Sequence, residues 1–350
     1  MSIGAAPERT LISIENMTKR TLVTGGAGYI GSHTAKRLAH HNFVPIVLDN
    51  LSTGHRWAVR SAPLIVGDLA DEALLLRVFK EYAIETVLHF AASAYVGESI
   101  KDPRKYFRNN VVNTLNLLNA MVQTSVKNIV FSSSCATYGL PENGLIEESH
   151  PQCPVNPYGE SKLFVERALH WYGKSYGLKW VALRYFNAAG ADPEGELGED
   201  HTPETHLIPL GIEAALRERP YLDVFGTDYP TPDGTAIRDY IHVMDLAEAH
   251  ILALEYLLAG GDSGAFNLGT GRGHSVLEII AAVERLVGCP VPVRKTERRE
   301  GDPPALVASA RRANQLLKWQ PFYPEIDCII ETAWKWHASR SRVRQAAAGR

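Results

Sequence analysis

The chain has 350 residues, 45% hydrophobic and 21% charged, with a formal charge of −3. That size supports two lobes with their own cores, and a slightly acidic chain without a basic run argues against a nucleic-acid partner. No segment reaches the ~18 uninterrupted apolar residues of a membrane span, and the nearest, 246–258, carries Glu248, His250 and Glu255 and reads as an amphipathic helix.

Residues 1–19 have no long apolar stretch and read as an extension with no secretory signal. Strand-like runs then alternate with helix-like ones: strands at 21–24, 43–48, 63–66, 85–90, 128–133 and 179–185, helices at 72–82, 104–124 and 158–176. This rhythm predicts an α/β fold, a doubly wound parallel Rossmann-type sheet with ligands at the carboxyl ends of its strands. Composition shifts after residue 186 to a loop rich in Gly, Pro and acids (187–206). Helices at 207–219 and 275–287 and strands at 222–225 and 292–294 follow. We therefore divide the chain into a dinucleotide domain (20–186), a smaller C-terminal α/β substrate lobe (187–340) and a tail (341–350). Parts of 238–270 have the pattern to return to the first domain.

At the first strand-to-helix junction stands Thr24-Gly25-Gly26-Ala27-Gly28-Tyr29-Ile30-Gly31. Gly25 permits a tight turn, Gly28 close approach of a pyrophosphate and Gly31 close helix–sheet packing. The helix N-terminus offers unpaired N–H groups to phosphate. The second strand ends in Asp49, followed by Asn50. An acid there accepts from both ribose hydroxyls and repels a 2′-phosphate, so the cofactor expected is NAD rather than NADP.

The apolar run ending in Ser132-Ser133-Ser134 precedes Pro157-Tyr158-Gly159-Glu160-Ser161-Lys162. Tyr158 and Lys162, four apart, share a helix face. An ammonium beside a phenol lowers the phenol pKa, making Tyr158 a proton acceptor near neutrality, with Ser134 positioned to hold the reacting hydroxyl. The four cysteines (135, 153, 289 and 328) form no C-x-x-C pair, which fits a reduced cytoplasmic protein. The 13 histidines show no H-E-x-x-H and each reads as structural or surface, so no metal is expected.

Taken together these segments resemble the extended short-chain dehydrogenase/reductase family, and within it the UDP-sugar 4-epimerases, over nearly all of residues 20–337. The resemblance rests on TGGAGYIGSHT (24–34), LDNLSTG (48–54), GDL (67–69), HFAA (89–92), VGES (96–99) and NNV (109–111). It continues through FSSSCATYG (131–139), NPYGESK (156–162) and LRYFNAAGA (183–191). In the second lobe it adds FGTDYPTPDGTAIRDYIHVMDLA (225–247), FNLGTG (266–271) and RREGDPPAL (298–306).

The resemblance implies interconversion of UDP-glucose and UDP-galactose, with NAD oxidising C4, rotation of the 4-keto sugar, and re-reduction from its other face. Tyr158, Lys162 and Ser134 would be catalytic. Besides the glycines and Asp49, cofactor contacts would come from Tyr29, Ile30, Asn50, Asp68, Leu69, Phe90, Ala91, Ala92, Asn109 and Phe186, with Tyr158 and Lys162 at the nicotinamide ribose. Arg238 and Arg299 would hold the diphosphate and nucleotide, and Phe225 would lie beside the uracil. Asn187, His206, Leu207, Asp302 and Leu306 would complete the UDP-sugar site. A homodimer through 104–124 and 158–176 is also implied.

Three positions depart from the best-known bacterial pattern. Ala94 replaces a lysine near the cofactor, His206 replaces an amide facing the sugar, and Leu306 stands where a tyrosine or a smaller residue gates the sugar pocket. Leucine is intermediate in size, which leaves UDP-N-acetylglucosamine and UDP-xylose as alternative substrates. A 4,6-dehydratase would need an acid after the serines, where Cys135-Ala136-Thr137-Tyr138 stand. The alternative of another class is a non-enzymatic NAD-sensing scaffold, which often lacks the tyrosine or the lysine; both are present here.

Overall fold

The computed structural model of the protein describes residues 19–60, 62–141, 144–299 and 301–348, so the expected extension lies almost wholly outside the described residues. The dinucleotide half runs β1 (Lys19–Thr24), α1 (Tyr29–Leu38), β2 (Phe43–Asp49), β3 (Leu64–Val66), α2 (Glu72–Glu81) and β4 (Thr86–His89). It continues with α3 (Val96–Lys101), α4 (Pro103–Tyr106), α5 (Asn113–Gln123), β5 (Asn128–Ser134), α6 (Pro157–Tyr176) and β6 (Lys179–Tyr185). The rest comprises β7 (Asn187–Ala189), α7 (Leu207–Ala215), β8 (Leu222–Phe225), β9 (Ile237–His242), α8 (Val243–Leu258), β10 (Gly264–Leu268) and β11 (Gly273–Ser275). Last come α9 (Val276–Val287), β12 (Val293–Thr296), β13 (Ala305–Leu306) and α10 (Ile326–Ala348).

Seven parallel strands form the large sheet in the order β10-β6-β5-β4-β1-β2-β3, a doubly wound Rossmann-type α/β arrangement. Its strands read as apolar runs because both faces are covered. On one side Leu22, Ile46 and Phe131 meet Leu75, Leu118 and Val165. On the other Val23, Leu88 and Val181 meet Leu38, Leu246 and Leu254. The topological switch point lies between β1 and β4, where successive strands change from being added on one side of β1 to the other, the place where a ligand crevice forms at the carboxyl ends of such sheets.

The smaller lobe has its own core, in which Ile212, Val224, Ile279, Val283 and Ile330 pack together. β9 lies between β11 and β13 and also pairs with β7, and β8 pairs with β12. Although it follows the residue-187 boundary, β10 lies in the large sheet beside β6, and α8 packs beneath that sheet.

Two stretches differ from the sequence reading. The single helix expected over 104–124 is broken by a π-helical turn at Phe107–Val112. The wider turn rotates Asn110 inward, where its side chain holds the Ser93 backbone at both N (2.8 Å) and O (3.0 Å) and donates to Ser161 Oγ (3.0 Å). A π-turn placed at a site wall commonly serves this purpose. The tail expected from 341 instead continues α10 to Ala348, since neither Gly nor Pro interrupts 326–348.

Candidate active site

The cofactor end is built at the β1–α1 turn. Gly25 has φ +71°, and a Cβ there would lie 2.5 Å from Ala91 N; one on Gly31 would lie 2.3 Å from Gly25 O. Only glycine lets the turn press on the residues after β4 while the helix closes on the turn. Gly28 caps α1 without a side chain, and no acid stands in the first turn, so the leading N–H groups of Tyr29 and Ile30 meet no competing anion. Asp49, buried at the end of β2, accepts from Ala27 N (2.9 Å) and Leu51 N (2.8 Å), and burial raises its carboxyl pKa. Asp68 accepts from Asn50 Nδ2 at 2.7 Å and Asn113 Nδ2 at 3.2 Å. Leu69 beside it is buried. Phe90 turns its ring into the core against His250, 4.5 Å between centroids. Phe90 and Ala91 both donate their N–H to Thr24 O. Ala92 follows them, half-buried, and Asn109 donates to Ser93 Oγ at 3.2 Å. An uncapped helix start for pyrophosphate and a buried acid at the second strand end fit NAD.

At the carboxyl end of β5 the structure brings Ser134, Tyr158 and Lys162 together. Asn156 caps α6, accepting from Gly159 N at 2.9 Å, with Pro157 at the first helical position. A Cβ on Gly159 would lie 2.4 Å from Ala136 O, so α6 starts in contact with the turn after Ser134. Lys162 Nζ donates to Ser132 O at 2.8 Å and lies 5.7 Å from the Tyr158 ring centroid. Burial raises the Tyr158 pKa, with the Ser134 hydroxyl working against that rise. Burial also lowers Lys162 to about 7, which Glu166 partly offsets. The Lys162 amine is thus bound to the strand carbonyl and desolvated, while burial opposes ionisation of the phenol beside it.

The second lobe faces this end. Arg238, at the register position of Leu306 on β13, pairs with Asp302. Arg299 lies over the Phe225 ring, 4.0 Å from its centroid. Asn187, half-buried, pairs with Tyr240 across β7 and β9. Leu306 packs with Cys135 on a cluster of Tyr138, Ile146, Phe186 and Ala308, forming a wall beyond Ser134. Phe186 is thus a core side chain, leaving its backbone for a ligand. Leu207 packs on the small-lobe core at the start of α7. His206 has its Nδ1 turned to Glu199 (2.5 Å) and Glu204 (3.3 Å).

Sequence reasoning missed the supports behind the site. Glu166, one turn beyond Lys162, accepts Ser133 Oγ (2.5 Å) and two Arg184 nitrogens (3.0 and 2.6 Å). Arg184 also donates to Tyr138 Oη at 2.8 Å, which bonds Asn267 Oδ1 at 2.7 Å. His89 bonds Thr24 and Thr114 and is held neutral by burial, its pKa lowered to about 3. The available signal was charge on otherwise apolar faces: Arg184 in a buried strand and Glu166 on the inner face of α6. His201 and His206, read singly from the sequence, also lie together with Glu199 and Glu204.

Residues 21–269 match the NAD dependent epimerase/dehydratase family. The chain belongs to that family. Similar members include the UDP-glucose 4-epimerase of Halalkalibacterium halodurans, 52% identical over 316 residues (90% of this chain, 95% of that one). Another is the UDP-glucose 4-epimerase of Lacticaseibacillus casei, 54% identical over 316 residues (90% and 96%). The crystal structure of UDP-glucose 4-epimerase from Brucella ovis in complex with NAD superposes with a TM-score of 0.88 at 55% identity, covering 90% of this chain and 97% of that one. In this member of the NAD-dependent epimerase/dehydratase family, as the geometry of its site requires, the Glu166–Arg184 pair is buried on both sides. Arg184→Met leaves Glu166 charged and unpaired, and is expected to cost about 3–5 kcal/mol. Adding Glu166→Leu should recover most of that loss, a comparison that urea unfolding midpoints of the three proteins check.

Proposed function

We propose that the chain interconverts UDP-glucose and UDP-galactose. The observation that carries this is the meeting of Ser134, Tyr158 and Lys162 at the end of β5, faced by the paired Arg238–Asp302 and stacked Arg299–Phe225 of the second lobe. Its curated relatives bear the same activity in their names. Tyr158 takes the proton of the sugar 4-hydroxyl, and Ser134 Oγ holds the same oxygen. Lys162, tied to Ser132 O, places its charge along the face of the Tyr158 ring and favours the phenolate over the phenol. The glycine turn, Asp49, Asp68 and Lys162 would hold NAD, which would supply the hydride acceptor and donor for C4 when bound. Arg238 and Arg299 grip the diphosphate as multi-donor forks, so the sugar turns over while its anchor stays. Asp302 holds the Arg238 fork in place. Leu306, fixed against Cys135 and Phe186, forms a rigid wall that fits a hexose more readily than an acetamido sugar.

We further propose a homodimer. On α6 Phe164 and Trp171 share one face and are 51% and 62% exposed; Phe107 and Val112 on the neighbouring helical segment add to the apolar surface. Among the described residues no helix is long and apolar enough to cross a membrane, and all four cysteines are free thiols. A cytoplasmic setting fits those thiols, a location that cell fractionation checks.

The reaction is tested with purified protein, no added cofactor, and a panel of UDP-glucose, UDP-galactose, UDP-N-acetylglucosamine and UDP-xylose. Interconversion of the hexose pair is expected, turnover of the others would widen the assignment, and no product from any would refute it. Tyr158→Phe should lower kcat by about 10²–10⁴-fold, whereas an NAD sensor would keep its binding behaviour unchanged. Lys162→Met removes the positive neighbour, so the phenol pKa rises and the acidic limb of the kcat profile moves to higher pH; an unmoved limb contradicts the role given to Lys162. Trp171→Asp should yield a monomer by light scattering.

A further inference from the structure

The loop between β7 and α7 carries a second cluster of reactive side chains, separate from Tyr158 and Lys162. His201 Nδ1 lies 3.0 Å from Glu199 Oε1 and 3.7 Å from Glu204 Oε2. His206 Nδ1 lies 2.5 Å from the same Glu199 oxygen and 3.3 Å from Glu204 Oε1. One donor atom from each of the four residues lies within 4.8 Å of every other. Four ligands at zinc distances of about 2.0–2.1 Å from a common centre stand about 3.3 Å apart along each tetrahedral edge. The observed separations fall on both sides of that value.

A second observation is directional. Glu199 Oε1 and His201 Nδ1 are buried and neither makes an aligned hydrogen bond, although they are 3.0 Å apart. Glu199 is 3% exposed. An ion pair at this distance would normally align its N–H on the oxygen, because an unmade buried bond is costly. Atoms that are close but misaimed are what ligands pointing to a shared centre look like. Metal ligation requires both imidazoles deprotonated, and the two carboxylates then carry a double negative charge, which one divalent ion cancels. Two imidazoles in the set disfavour Mg²⁺ and Ca²⁺, which take oxygen ligands.

The surroundings hold the donors in place. Thr205 N (2.6 Å) and His206 N (2.8 Å) both donate to Glu204 Oε1. Trp336 Nε1 donates to Glu199 O at 2.9 Å. The rings of Tyr29 and Tyr95 stand edge-on to His201, with centroids at 6.3 and 6.0 Å. A cavity of about 390 Å³ lined by Glu199, His201, Glu204 and His337 adjoins three of the four residues.

We propose that Glu199, His201, Glu204 and His206 bind one zinc-class divalent cation. Four protein ligands complete a tetrahedron, so the ion is structural. It ties the loop entering α7 to Tyr29 of the glycine turn and, through Trp336, to α10. The proposal does not depend on the sugar specificity or on the epimerase reaction.

The test uses the full-length protein. Metal content is measured as purified, then zinc is titrated calorimetrically into chelator-treated protein, and Co²⁺ is added as a spectroscopic probe. One saturable equivalent of zinc per chain, the intense visible bands of tetrahedral Co²⁺ and a rise in Tm with zinc are expected. His201→Asn should weaken zinc binding by at least about 100-fold, while Asp192→Asn, in the adjacent acidic loop, should leave it unchanged. Absence of saturable binding by the wild-type protein, with both histidines doubly protonated by ¹⁵N NMR, would identify a plain ion-pair cluster and overturn the proposal. So would zinc binding that survives both His201→Asn and Glu199→Gln.

Discussion

Helix α6 lies against the end of strand β5, and one hydrogen bond, from Lys162 Nζ to Ser132 O, records that contact. The bond determines how far along β5 the helix sits, and with it whether Tyr158 meets Ser134. Three other contacts hold the same alignment. The Gly159 backbone touches Ala136, Asn110 reaches Ser161 from the π-turn, and Glu166 reaches Ser133 from one helical turn further on. The three consecutive serines of β5 therefore face different tasks. Ser132 binds Lys162 through its carbonyl, Ser133 binds Glu166 through its hydroxyl, and Ser134 is left for the reacting group.

Electrostatics follows the same geometry. Glu166 is paired with Arg184, so it steadies α6 and only partly offsets the effect of burial on Lys162. Lys162 has no carboxylate in contact and is desolvated, which holds its pKa down to about 7. His89 below it remains neutral because burial disfavours a second cation beside that lysine. Of these groups only Lys162 is brought near neutrality, because burial raises the Tyr158 phenol and lowers the His89 imidazole. Across the crevice, Arg238 and Arg299 are each already oriented, by Asp302 and the Phe225 ring respectively, which limits the side-chain freedom either would lose on binding a ligand.

Much of this was legible in the chain. Parallel strands buried on both faces appear as unbroken apolar runs, so β1, β2, β5 and β6 could be placed within a residue or two. The glycines at 25 and 31 announced their turn because a Cβ at either position would collide with the backbone packed on it. Less legible was anything that depends on a side chain's partner. The break in the helix at 107–112 has no Gly or Pro to mark it; it exists because Asn110 finds Ser93 and Ser161, which are remote in sequence. The Glu166–Arg184 pair is likewise invisible until β6 is laid beside β5. His206 reads as a substrate contact by position, yet its Nδ1 turns to Glu199 and Glu204 once the loop folds back on itself.

The sequence by itself determined the order of strands and helices, the dinucleotide turn and the spacing of Tyr158 and Lys162, because those rest on local sterics, burial periodicity and the pitch of a helix. Only the tertiary structure decided the protonation balance of that pair, the partners of the buried charges and the gathering of two histidines with two glutamates. Such properties depend on desolvation and on the distances between groups far apart in the chain, and neither quantity exists until the sheet and its two lobes have closed.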